Sequence, residues 1–206
     1  VRLGVGSRPS LTQFRSMAGT LNSNSPFMPE INRLLRDYAL VHDVPVTISL
    51  RERTALGITG NHEHTCEFTR ALLVSLTGLH APTDVQLYLV GSEEVNQDWE
   101  WMRMLPHTRE PQATPSERSS QVCLKSDEMP QFWAQLQFEL EKRQLRLEQD
   151  KNIAFPLIVV VIDLYSRSAA NPVLERVAAE TAMSTLLQYG KSLGANVLLL
   201  VEQYQE

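Results

Sequence analysis

Apolar positions along the chain change between helical and strand-like spacing. From Met28 to His42 they recur every three or four residues behind Pro29, which predicts an amphipathic helix. The run 157–162 is entirely aliphatic, as is typical of a strand covered on both faces. The same criteria predict further strands at 1–6, 46–50, 54–58, 86–90 and 197–201, and further helices at 63–80, 94–104, 131–148 and 172–193.

The order of these elements indicates the class of fold. Strands alternate with helices of crossover length, which is the pattern of a largely parallel sheet with helices on both faces. Residues 7–27 and 107–120 are polar and rich in turn-forming residues, and we interpret both as loops. No internal repeat or second apolar pattern is visible, so we expect one layered α/β domain over residues 1–206.

Composition excludes some classes of function but does not identify one. The 206 residues carry a formal net charge of -5, which provides no basic field for nucleic acid or an anionic membrane. Cys66 and Cys123 are far apart in sequence and are expected to be reduced thiols. No apolar run approaches the roughly 20 residues that span a bilayer. Because the chain begins at Val1 without a methionine, we expect it to be a piece of a longer protein.

The segment Gly57-Ile58-Thr59-Gly60 follows a predicted strand and precedes a predicted helix. A phosphate-binding loop has this order, with glycines that let the backbone wrap phosphate and a lysine for the terminal phosphates. The lysine is missing here, because the first lysine of the chain is Lys125. Glu63 near the helix start would repel a triphosphate. The sequence therefore predicts the strand, glycines and helix of a nucleotide site, but not the lysine that would bind the phosphates.

The strand at 157–162 ends in Asp163, where a magnesium-organising carboxylate would lie in a nucleotide hydrolase. Such enzymes usually place a second acidic residue next, and this chain has Leu164. The alternative interpretation, that Asp163 only caps the following turn, stays open.

A metal site is the remaining chemical possibility in the stretch His62-Glu63-His64-Thr65-Cys66. Histidine and cysteine are suitable zinc ligands. The spacing differs from the His-Glu-x-x-His pattern, and no fourth ligand is apparent from the sequence. We therefore favour solvated loop residues at a helix start and predict no metal.

Three segments together resemble the FtsK/SpoIIIE motor ATPases, in particular the EccC/EssC ATPases of type VII secretion. They are GITG and CEFTRALLVSLTGLHAPTDVQLYLVG between residues 57 and 91, WEWMRMLPH at 99–107, and GKSLGANVLLLVEQYQE at 190–206. The resemblance covers roughly residues 50 to 206. It implies a P-loop NTPase-like fold of the RecA/FtsK type.

The departures from the family pattern resemble a degenerate, non-motor ATPase-like domain. The resemblance then implies a pseudo-ATPase that serves assembly, coupling or regulation of adjacent motor domains. The alternative is an atypical nucleotide-binding or weakly hydrolysing ATPase domain of a DNA or protein translocase, with ATP and Mg²⁺ as ligands. No catalytic residue is assigned. The degenerate nucleotide-binding positions would be Gly57, Thr59, Gly60, Thr65, Cys66 and Asp163.

The resemblance also implies partners and a location. Partners would be adjacent ATPase domains of the same chain, other subunits of a secretion complex or further copies of the chain, and no nucleic acid is expected. Trp99 and Trp101 are candidate interface residues because large aromatic side chains are enriched at interfaces, although packing in the domain core is the alternative for each. The segment would be a cytoplasmic domain of a bacterial protein that reaches the membrane only through its other parts.

Overall fold

The computed structural model describes residues 1–11, 26–109, 120–166 and 172–202. The chain divides into two compact units, Val1–Ile48 and Ser49–Glu206. The sequence pattern indicates no boundary between them, and the single domain over residues 1–206 stays a prediction. Among the described residues, no helix has the length and apolar character needed to cross a membrane.

The first unit contains a two-stranded antiparallel sheet and one helix. Its elements are β1 (Arg2–Pro9), α1 (Met28–Asp37) and β2 (Leu40–Thr47). The predicted helix ends before His42 because the chain enters β2 at Leu40. The strand predicted at 46–50 is consequently displaced, and Pro45 lies within β2 opposite Val5. A two-stranded sheet tolerates this proline because each strand has only one partner to bond.

The second unit contains five strands and five α-helices within the described residues. The strands are β3 (Ala55–Gly60), β4 (Val85–Val90), β5 (Val122–Cys123), β6 (Leu157–Asp163) and β7 (Ala195–Glu202). The helices are α2 (His62–Leu79), α3 (Asn96–Trp99), α4 (Met129–Gln149), α5 (Pro172–Ala179) and α6 (Thr181–Leu193). The strands pair in the order β3-β7-β6-β4-β5, and every pairing is parallel. The α/β fold with a largely parallel sheet is confirmed.

Helices cover both faces of this sheet. On one face, Ile158, Val160 and Ile162 of β6 form a core cluster with buried residues of α4, α5 and α6. Side chains alternate between the faces of a strand, so Asp163 belongs to the opposite face. There α2 contacts β7 and buries Leu72, Leu73 and Leu76 among other residues. All seven residues of β6 are buried, as its unbroken aliphatic run predicts.

Two predicted helices are interrupted. The segment 94–104 is α3 between two 3-10 turns, and Trp99 at the break turns its indole inward to Asp163. The segment 172–193 is broken at Glu180, whose extended backbone separates α5 from α6. This break lets Val177 and Met183, on either side of it, join the same core.

The remaining differences concern short or polar segments. β5 was not predicted, because two residues are too few to establish a period. The loop expected at 107–120 begins with a 3-10 turn at Pro106–Thr108, and residues 110–119 lie outside the described part of the chain. In the first unit, β1 extends to Pro9 into the expected loop 7–27, of which residues 12–25 are not described.

Candidate functional site

The glycine segment that was expected to form a loop is the carboxyl end of strand β3. Gly57 pairs with Leu199 and Gly60 with Glu202 in parallel register with β7. A Cβ at Gly57 would meet no atom within 4 Å, whereas Gly60 has a φ of 154°. The strand predicted at 54–58 therefore continues to Gly60, and the loop expected after Ile58 is wrong for Thr59 and Gly60. Backbone groups that pair with a neighbouring strand are not arranged to wrap a phosphate.

The connection from β3 to α2 consists of Asn61 alone. The Asn61 side chain caps the helix, because its Oδ1 accepts the Glu63 backbone N–H at 2.9 Å. A Walker A loop carries four residues between its first glycine and the Gly-Lys pair, which cradle the phosphates. The direct passage from strand to capped helix leaves no comparable loop.

Thr65 lies inside α2 and not at its start. Its backbone N–H donates to the Asn61 carbonyl at 3.0 Å, and its hydroxyl donates to the His62 carbonyl at 2.9 Å. Thr65 is also buried. Both groups that would bind phosphate or magnesium at this position are thus engaged within the helix. Thr59, by contrast, is exposed on β3 and pairs with Val201.

The carboxyl end of β6 brings a buried carboxylate to the amino-terminal end of α2. Asp163 is 0% exposed. Its Oδ2 accepts the Trp99 indole N–H at 2.7 Å and lies 3.2 Å from His62 Nε2. Its Oδ1 accepts the Tyr165 backbone N–H at 3.0 Å. Protein donors therefore surround the carboxylate that was predicted as a magnesium-organising group.

Cys66 and Tyr165 complete this cluster. Cys66 Sγ lies 3.2 Å from His62 Nε2 and 3.8 Å from Asp163 Oδ2. The His62 ring stacks on Tyr165 with centroids 3.9 Å apart. We call the five residues His62, Cys66, Trp99, Asp163 and Tyr165 the Asp163 cluster. It occupies the region between the carboxyl end of β6 and the first turn of α2, where a P-loop fold binds phosphate.

The electrostatics of the cluster follow from the buried carboxylate. The hydrogen bond to Asp163 raises the pKa of His62 against the opposing effect of burial, and the charges of Asp163, Asp98 and Glu202 raise it further. Burial raises the pKa of the Cys66 thiol, and the negative charge of Asp163 acts in the same direction. Asp163 therefore favours protonation of both His62 and Cys66.

The structure brings only some of the predicted nucleotide-binding residues together. Cys66 and Asp163 meet in the cluster, whereas Gly57 and Thr59 lie along β3. Tyr165 was not singled out from the sequence, His62 was considered only as a metal ligand, and Trp99 was considered only as an interface or core residue. The spacing of His62 and Cys66, four residues apart on one helix face, was the available signal. The interpretation of 62–66 as solvated loop is wrong for His62, Thr65 and Cys66, which lie in α2 and are at least partly buried.

The two candidate interface tryptophans differ in exposure. Trp99 is 0% exposed, so the interface expectation is wrong for it and core packing is correct. Trp101 is partly exposed, and its indole N–H donates to the Asp98 carbonyl at 2.9 Å. Its role at an interface stays a prediction. Arg70 also contacts the Asp98 carbonyl, at 3.3 Å, and so pairs within the chain instead of facing an open phosphate position.

Comparisons with known proteins agree on one family of secretion proteins. The chain is 30% identical over 133 residues to the ESX secretion system protein EccC of Thermomonospora curvata, a match that covers 65% of this chain and 10% of the relative. It is 24% identical over 213 residues to the ESX secretion system protein YukB of Bacillus subtilis, covering 100% of this chain and 14% of the relative. The chain therefore corresponds to a small part of much longer proteins. No family model matches it.

The fold is also found in a solved structure of this group. EssC of Geobacillus thermodenitrificans, described as containing ATPases 2 and 3, superposes with a TM-score of 0.56 at 17% identity, over 97% of this chain and 33% of the EssC chain. This likeness confirms the P-loop NTPase-like α/β fold. In sequence the chain is thus similar to parts of the secretion proteins EccC and YukB, and in fold it is similar to EssC.

Proposed function

We propose that the chain is a pseudo-ATPase module of an EccC/EssC-like FtsK/SpoIIIE secretion protein. It serves assembly, coupling or regulation of adjacent motor domains and does not turn over nucleotide itself. The carrying observation is the state of Asp163, whose two carboxylate oxygens already accept hydrogen bonds from Trp99 and Tyr165 while His62 lies beside them. In P-loop hydrolases the corresponding aspartate helps to hold magnesium.

The end of β3 supports the same proposal. Phosphoryl transfer depends on positioning and on positive charge at the transferred phosphate, which the Walker lysine and Mg²⁺ supply. This chain has no lysine before Lys125 and has Asn61 alone between β3 and α2. Arg70, a cation on the same helix, pairs with Asp98. The degenerate Walker motifs thus keep the scaffold and lose its catalytic groups.

The proposed partners follow from the secretion-system relatives. They are adjacent ATPase domains, other subunits of a secretion complex or further copies of the chain, and no nucleic acid is expected with a net charge of -5. We place the module on the cytoplasmic side of a bacterial membrane protein. Of the two candidate tryptophans, Trp101 is the one with an exposed surface for such a contact.

The test is calorimetric titration of Mg²⁺-ATP and Mg²⁺-ADP into the purified chain, followed by a sensitive phosphate-release assay. We expect no saturable heat up to millimolar nucleotide and no phosphate above background. Saturable binding that Asp163→Ala abolishes would instead support the alternative, an atypical nucleotide-binding domain. Turnover that the same substitution abolishes would overturn the proposal. Asp84→Ala, which removes an exposed carboxylate directly before β4, is the matched control.

A further inference from the structure

We propose that His62, Cys66 and Asp163 form a transition-metal site that takes Zn²⁺. The three side chains offer one ligand atom each, and these atoms all lie within 4.8 Å of one another. The site is independent of whether the chain binds or hydrolyses nucleotide. It reverses the expectation of no metal, which was based on the residues 62–66 alone and did not include Asp163.

The backbone places the three ligands without any rearrangement of elements. His62 and Cys66 are four residues apart in α2, so their side chains lie one above the other on the same face of the helix. Asp163 ends the central strand β6 and faces the first turn of that helix. Two ligands from one helical turn and a third from a rigid strand make a preorganised arrangement.

The distances between ligand atoms match those of a small tetrahedral site. With zinc bonds of about 2.0–2.1 Å to nitrogen and oxygen and about 2.3 Å to sulfur, neighbouring ligand atoms should be about 3.3–3.6 Å apart. His62 Nε2 lies 3.2 Å from both Cys66 Sγ and Asp163 Oδ2, and the sulfur and oxygen are 3.8 Å apart. Each distance differs from the tetrahedral expectation by only a few tenths of an ångström. Side-chain adjustment of that size is sufficient to admit the ion.

The chemistry of the ligands selects the metal. Imidazole, thiolate and carboxylate are the three ligand types of zinc sites, whereas Mg²⁺ and Ca²⁺ prefer oxygen ligands throughout. Three protein ligands leave the fourth position of a tetrahedral site to water. The His62 side chain is 17% exposed while Asp163 is 0% exposed, so the ion and its water would enter from the His62 side.

Outer contacts hold the ligands in orientation, as they do in established metal sites. The Trp99 indole N–H donates to the ligating oxygen of Asp163, and the Tyr165 N–H donates to the other oxygen. Stacking on Tyr165 restricts rotation of the His62 ring. Ion binding replaces the hydrogen bond between His62 and Asp163. His62 loses its Nε2 proton and keeps its Nδ1 proton, Cys66 loses its thiol proton, and both released protons go to solvent.

The test is titration of the reduced, chelator-stripped 206-residue chain with Co²⁺, followed by displacement with Zn²⁺. Co²⁺ is the spectroscopic probe, because thiolate ligation produces a charge-transfer absorption that water and carboxylate do not. We expect one ion per chain, a thiolate-to-cobalt band, and loss of that band when Zn²⁺ is added. Cys66→Ser should abolish the band, and His62→Gln should weaken binding at least tenfold. Trp99→Phe, an outer-contact change, should weaken it by about tenfold.

Two control variants distinguish metal binding at this site from metal binding elsewhere on the chain. Cys123→Ser removes the other buried thiol, and His64→Ala removes an exposed histidine that lies 3.7 Å from Glu67. Both should leave the band and the affinity unchanged. Far-UV circular dichroism identifies variants that fail to fold. If Cys66→Ser unfolds, the loss of metal affinity in His62→Gln, a change at a partly exposed position, still tests the site. The proposal is overturned if no saturable metal binding occurs, or if binding persists in Cys66→Ser but is lost in Cys123→Ser or His64→Ala.

Discussion

The carboxyl ends of β3 and β6 point to the same edge of the parallel sheet but have opposite environments. At β3, Gly57 and Thr59 are exposed and the strand passes through one residue into α2. At β6, Asp163 is fully buried and surrounded by side chains from α2 and α3. One strand end therefore presents exposed backbone and small side chains, whereas the other holds a carboxylate within a cluster of protein donors.

Removing the carboxylate should have the largest effect. Asp163→Ala leaves the Trp99 indole N–H and the Tyr165 N–H without their acceptor and removes the counter-charge of His62. We expect the free energy of unfolding to fall by about 3–5 kcal/mol, as when one partner of a buried pair is removed. Denaturant unfolding measures this loss. The exposed control Asp84→Ala should change stability by less than about 0.5 kcal/mol. An equally small loss of stability in both variants would contradict the hydrogen bonds of Asp163 to Trp99 and Tyr165.

The indole of Trp99 should be the next most important contribution. Trp99→Phe removes a buried donor and leaves part of its volume empty, so we expect a loss of about 2–3 kcal/mol. Trp101→Phe is the matched control, because the Trp101 indole N–H also donates one hydrogen bond, to the Asp98 carbonyl, but the side chain is partly exposed. Its loss should be about 1 kcal/mol or less. Chemical unfolding of both variants measures the two losses of stability. A larger loss for Trp101→Phe than for Trp99→Phe would contradict the burial of Trp99 in the cluster.

The two glycines of β3 should respond in opposite directions. Gly60 has a φ of 154°, a conformation that residues with a Cβ rarely adopt, so Gly60→Ala should cost about 1–3 kcal/mol. At Gly57 a Cβ has open space, and alanine should stabilise the strand by about 0.5 kcal/mol. Thermal unfolding of the two variants gives the comparison. A strong loss at Gly57 would indicate that this glycine has a role beyond that of a strand residue.

The smallest expected effect is a pH dependence through His62. Its folded-state pKa is raised, mainly by the hydrogen bond to Asp163. A raised pKa means that the stabilisation is fully present below the unfolded-state value of about 6.5 and is lost as the pH rises through the folded-state value. The stability difference between the chain and His62→Gln should therefore be largest in mild acid and shrink towards alkaline pH. His64→Gln, at an exposed position, should show no such trend in the same unfolding titration.

The elements that the sequence predicts well are those whose pattern is local. β6 and β7 are unbroken aliphatic runs and α2 has regular spacing, so their positions were found within a few residues. The breaks at Trp99 and Glu180 were missed, because tertiary packing overrides a continuous helical pattern at both points. β1 and β2 pair in a separate sheet that no apolar alternation in the sequence distinguishes from the larger one.

The candidate site was predictable only as separate positions. Asp163 and Cys66 could be singled out because one ends a buried strand and the other follows a glycine motif. Their meeting depends on contacts between residues far apart in sequence, such as Trp99 with Asp163, 64 residues away, and His62 with Asp163, 101 residues away. No local pattern encodes such pairs. The same limit explains why Asp163 was not considered as a metal ligand together with His62 and Cys66.

The most direct measurement is the indole N–H signal of Trp99 in a ¹H–¹⁵N correlation spectrum. The chain has three tryptophans, so three indole signals are expected, and Trp99→Phe identifies the relevant one. Because this N–H donates to Asp163, it reports on whatever occupies the carboxylate. Addition of Mg²⁺-ATP should leave the signal unchanged, while stoichiometric Zn²⁺ should shift it. A saturable shift of the Trp99 signal with Mg²⁺-ATP would contradict an Asp163 that is closed to nucleotide.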